Sequence, residues 1–179
     1  DSGFDWFAGL GTVTVSLDPG VAGDYHVLSL FDHEAVAFDN VFCNEYGSAP
    51  GTPGAGQSWE IDEPGYVSGD IIDNFTAGAF DNANSVDIMF PDDVSMGMGW
   101  DFTLEAYEKA VITFLLGEEI PEGFYLAHTD PDSQETVYFS ATLGISGGSP
   151  AVPEPGTVLL LSAGFAGLAG IRKKFAGRV

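Results

Sequence analysis

The chain has 179 residues, room for one ordinary domain and an appendage. Apolar residues make up 45% and aromatics 13%, enough for a packed core, which excludes wholesale disorder. Acidic residues outnumber basic ones 27 to 5, for a formal net charge of −22, and this excludes nucleic acid as a partner because phosphate recognition needs clustered Lys and Arg.

The chain begins at Asp1 without Met, as expected after removal of a secretory signal peptide. The apolar Phe4, Trp6 and Phe7 lie in a segment, Asp1–Gly9, suited to donating a strand to a neighbour. From Thr12 to Leu17 apolar and hydroxyl residues alternate, which predicts a half-buried strand closed by the turn Asp18-Pro19-Gly20. Tyr25–Phe31 and Ala35–Phe42 read as the next strands, and residues 44–60 as a long Gly/Pro-rich loop. Strands are expected again near 65–68, 71–76 and 85–90, then from Trp100 to Tyr107, Val111 to Leu116, Phe124 to His128 and Thr136 to Leu143. No helix of useful length is expected in this body. About ten short strands separated by turns predict an all-β fold, an antiparallel β-sandwich over residues 1–148.

Residues 149–156 form a Pro/Gly linker, and residues 157–171 carry no charge before Arg172, Lys173 and Lys174. The stretch predicts a hydrophobic helix within 157–179, with the basic end on the cytoplasmic side and the body beyond the membrane. Charge divides the same way, −25 on residues 1–152 and +3 on 153–179. Small residues recur in the apolar stretch, and Ala163, Gly164, Gly167 and Gly170 offer a surface for close helix packing, either with lipid around it or among copies of the chain.

The order of these parts resembles the PEP-CTERM sorting signal of exported bacterial proteins. The motif is Pro153-Glu154-Pro155, followed by the apolar stretch and the basic cluster Arg172, Lys173, Lys174 and Arg178. The resemblance implies export across the inner membrane of a Gram-negative, exopolysaccharide-making bacterium, transient membrane insertion, and processing near the motif by an exosortase-type enzyme. The stretch from Val94 to Ile145 also looks like the body of such exported proteins, through Gly99-Trp100-Asp101-Phe102, Ile112-Thr113-Phe114, Gly123-Phe124-Tyr125-Leu126, Asp130-Pro131-Asp132-Ser133 and Val137-Tyr138-Phe139-Ser140.

The body holds no Gly-x-Ser-x-Gly elbow, and Cys43, in Phe42-Cys43-Asn44, reads as a small buried hydrophobe or an intersubunit disulfide partner rather than a nucleophile. His26, His33 and His128 lack the spacing of a helical zinc pair. The chain is therefore expected not to be an enzyme. Calcium is the one cofactor its loops suit, because it takes oxygens from Asp, Asn and carbonyls; Asp81, Asn84 and Asp87 are the expected ligands, with Asx turns as the plain alternative. Asn74-Phe75-Thr76 matches a glycosylation acceptor.

The reading that follows is an exported, non-catalytic structural protein of the cell surface or extracellular matrix, a homo-oligomer that self-assembles into a filament. The rival is a polysaccharide-binding surface module, with or without Ca2+, that stacks exopolysaccharide on Trp59, Tyr66, Trp100 or Tyr107.

Overall fold

A computed structural model describes residues 3–5, 7–33, 43–65 and 68–148. The chain divides into two units, Asp1–Gly148 and Ser149–Val179. The strand expected at Ala35–Phe42, Trp6, Tyr66, the linker 149–156, the apolar stretch and every residue of the sorting motif and basic cluster lie outside the described residues.

The body is predominantly β and the ladders between its strands are antiparallel. In chain order its strands are β1 (Phe4–Asp5), β2 (Leu10–Leu17), β3 (Gly23–Asp32), β4 (Tyr46–Ser48), β5 (Gln57–Asp62), β6 (Ser95–Leu104), β7 (Glu108–Gly117), β8 (Leu126–Thr129) and β9 (Thr136–Gly147), with the helix α1 (Ile71–Ala77) between β5 and β6. One sheet has the order β1-β2-β7-β9-β8-β4 and the other β3-β6-β5. The two sheets contribute side chains to one apolar core. Phe31 of β3 meets Phe114 of β7 at 6.1 Å and Phe139 of β9 at 5.6 Å between ring centroids.

Alternation sets which side of each strand faces that core. On β6, Met96, Met98 and Leu104 are buried in the core, while Ser95, Gly97 and Gly99 point to the other side of the three-stranded sheet. On β5, Ile61 faces the core and Glu60 and Asp62 take the other side, opposite Gly97 and Ser95. The N-terminal segment begins on its own neighbour, with Phe4 paired to Gly11 and Asp5 to Leu10 of β2.

Two expected strands are corrected, and a third at its ends. Residues 71–76 are helical, because Gly78 at φ +82° supplies a left-handed cap whose N–H reaches back to helix carbonyls, and Asn74 and Asp70 bond across one turn. Residues 85–90 are turns, because Asn84 and Asp87 each accept a backbone N–H two residues on and so compete with a ladder. Of the stretch expected near 65–68, Gly65 and Ser68 lie in bends, and residues 66 and 67 lie outside the described residues. Conversely, the expected loop 44–60 contains β4 and most of β5. Among the described residues no helix is long and apolar enough to cross a membrane.

Candidate functional site

α1 and the segment after it cover the side of the three-stranded sheet that the alternation of β5 turns away from the core. Phe80 lies over Gly97, where a side chain would collide with its ring. Glu60 is consequently buried at 1% exposure, Asp62 at 6% and neighbouring Glu63 at 4%. Each of these acids meets donors from α1 or from the residues on either side of it. Glu60 accepts from the Asn74 side-chain amide at 3.0 Å and from the Asp81 N–H at 3.3 Å. Asp62 accepts from the Asp70 N–H at 2.7 Å. Glu63 accepts from the N–H groups of Gly65, Ser68 and Gly69, all three on one carboxylate oxygen.

Carboxylate oxygens of Glu60, Asp62 and Asp70 lie within 4.8 Å of one another. A cavity of about 600 Å³ opens beside them, lined by Asp62, Glu63, Asp70, Asp81, Phe90 and Asp92, among others. The one Lys or Arg among the described residues, Lys109, pairs with Asp18 instead. Burial pushes the Glu60 carboxyl above its usual range, against the pull of Asn74 and the Asp81 N–H. Burial raises Asp62 in the same way, and it raises Asp93 with help from the charges of Asp32 and Glu45. Protons or a hard cation with oxygen ligands are the two species that relieve such an arrangement.

The expected calcium ligands Asp81, Asn84 and Asp87 are each engaged in hydrogen bonds of their own. Asp81 lines the cavity and accepts from the Ala83 N–H. Asn84 donates to the Gly47 carbonyl and accepts from Val86, and Asp87 accepts from Met89 and Phe90. The carboxylates that converge, on β5 and at the start of α1, were not singled out by sequence reasoning. The available signal was Glu60 and Asp62 alternating with Trp59 and Ile61, with Asp70 eight residues further on.

Asn74, the glycosylation candidate, lies within α1 and its amide donates to both Glu60 and Asp70. Cys43 is exposed rather than a buried hydrophobe, and the Asp92 carboxylate beside it raises its thiol pKa. Of the tryptophans offered for sugar stacking, Trp59 packs on Phe124 at 5.8 Å and Trp100 also packs against the core, while Tyr107 is exposed.

His26 lines a shallow groove with Asp24 and Asp101. His33 packs edge-on against Phe139 at 6.2 Å, and burial lowers its pKa. His128 is buried at 1% exposure with its Nε2 2.7 Å from Oε2 of Glu45, itself 3% exposed.

No curated protein and no solved structure matches the chain. Residues 151–174, which include Pro153-Glu154-Pro155 and the basic run to Lys174, match the family described as the PEP-CTERM protein-sorting motif. The chain therefore carries a PEP-CTERM sorting signal, which implies export, transient membrane anchoring and recognition by exosortase-type processing.

Proposed function

We propose that the chain is a non-catalytic structural protein of the cell surface or extracellular matrix, released near its sorting motif and assembled with further copies into a filament. The observation that carries this reading is the attachment of the 151–174 motif to an antiparallel β body whose residues 1–152 hold a net charge of −25. Such a charge keeps single bodies soluble until they are concentrated or neutralised. The reading takes the body as a β-sandwich, supported by the contacts of Phe31 with Phe114 and Phe139, and takes residues 157–171 as a hydrophobic helix. Among the described residues β3 is an edge strand of ten residues, and edges of that length are templates for pairing between chains. Electron microscopy of the protein shed by its own host tests the assembly. Ordered fibres that react with antibody to the body support it, and monodisperse single particles overturn it.

A second reading, a Ca2+-dependent polysaccharide-binding module, draws on the convergence of Glu60, Asp62 and Asp70 beside an open cavity. In this reading Ca2+ is held by those three carboxylates rather than by Asp81, Asn84 and Asp87. Glycan-array binding that requires Ca2+ supports it, and the same signal in chelator overturns it.

A further inference from the structure

Ile88, Met89 and Phe90 are three consecutive large apolar side chains, exposed at 67, 74 and 74%. They do not sit on a slack loop. Asp87 Oδ1 accepts from the N–H of Met89 at 2.7 Å and of Phe90 at 3.2 Å, and the Phe90 N–H also reaches the Asp87 carbonyl at 2.9 Å. Two residues on, the Asp92 N–H bonds to the Glu45 carbonyl at 3.0 Å and ties the turn to the strand β4. The result is an apolar knob held in one shape, and a preformed knob loses little freedom on docking.

Its surroundings are acidic. Phe90 and Pro91 share the cavity wall with Asp62, Glu63, Asp70, Asp81 and Asp92. The described chain's one Lys or Arg is at the opposite end of the larger sheet, since Lys109 pairs with Ser146 near the end of β9 while Glu45 adjoins the Tyr46–Thr129 pair at its start. An exposed apolar surface rimmed by polar groups marks an interaction site, and here the rim carries one sign of charge. The body of a second copy, at −25 over residues 1–152, would bring the same acids against it, and an anionic lipid surface would be repelled.

We propose that Ile88-Met89-Phe90 is a docking knob for a basic protein partner, one that presents an apolar pocket ringed by Lys or Arg. The inference does not depend on the filament reading, and its failure leaves that reading standing. The test uses the full chain and three synthetic peptides, alternating Lys/Phe, Lys/Ser and Glu/Phe, with binding read by fluorescence anisotropy. The Lys/Phe peptide should bind most tightly, weaken at high salt, and lose at least tenfold in affinity to the triple variant I88S/M89S/F90S. Met89→Lys, which keeps bulk but reverses the charge complementarity, should weaken it as well. Thermal melting of both variants at the wild-type temperature ties the loss to the knob rather than to folding. Equal binding of Lys/Phe and Glu/Phe, or wild-type affinity in the triple variant, overturns the proposal. So does loss in that variant of self-association or of phosphatidylcholine vesicle binding, with peptide binding retained.

Discussion

His128 on β8 and Glu45, just ahead of β4, meet inside the protein with 2.7 Å between Nε2 and Oε2. β4 has three residues and among the described strands pairs only with β8, so this contact and the short ladder beside it hold that side of the larger sheet. Removing one partner leaves the other buried without its mate, a change that costs on the order of 3–5 kcal/mol. His128→Leu should therefore destabilise strongly in urea unfolding, while the double variant with Glu45→Leu should recover much of the loss. A single variant as stable as wild type would show that the pair is not needed.

Glu60 and Gly97 lie opposite each other across β5 and β6, with Phe80 over the glycine. Gly97→Ala forces its methyl into that ring and should cost about 1–3 kcal/mol, as overpacking does. Phe80→Leu should be milder alone and should offset part of the loss when combined with Gly97→Ala. The readout is a double-mutant cycle, and strict additivity would contradict the contact.

The acids raised by burial give stability a definite pH slope. A carboxyl whose folded pKa lies above its unfolded one contributes stability below the unfolded value, and that contribution is lost as pH rises through the folded value. Glu60, Asp62 and Asp93 all act in this sense. His33, lowered by burial, acts oppositely as pH falls through the ordinary histidine range. Burial alone would raise Asp130, but the donors of Asp132 and Ser133 lower it, so its contribution is present above its unfolded pKa and is lost only in stronger acid. Glu60→Gln isolates one of the raised acids. Its melting temperature should gain less than that of wild type between pH 7.5 and pH 5, and an unchanged difference would remove Glu60 from the account.

The second functional reading makes its own demand on the same cluster. Millimolar Ca2+ should raise the melting temperature of wild type, and Asp70→Asn should abolish the rise while Asp87→Asn leaves it intact. No shift in wild type would remove calcium from that reading.

The strands that could be read from the sequence are those whose alternation matches their burial. Val13 and Val15 are half-buried while Thr14 and Ser16 are exposed on β2, and Phe114 and Leu116 are buried while Leu115 is exposed on β7. The helix α1 was hidden because Ile71, Ile72, Phe75 and Thr76 favour strands by type, while the cap at Gly78 and the bond from Asn74 to Asp70 favour the helix. The carboxylate cluster was hidden for a different reason. Alternation alone assigns Glu60 and Asp62 to a wet side, and what buries them is α1 and Phe80, which come from elsewhere in the sequence. The sorting motif was legible because it is a linear signal whose parts are read in order.

Residues 151–174 carry the signal that marks the acidic body for export. Fractionation of an exosortase-bearing host, with intact-mass measurement of each fraction, tests it most directly. The body should be found beyond the inner membrane with a mass that lacks the residues following the Pro153-Glu154-Pro155 region, and the unprocessed chain should accumulate in the membrane when Pro153 and Pro155 are replaced by Ala. Recovery of the full-length chain from the cytoplasm, unaffected by those substitutions, would contradict it.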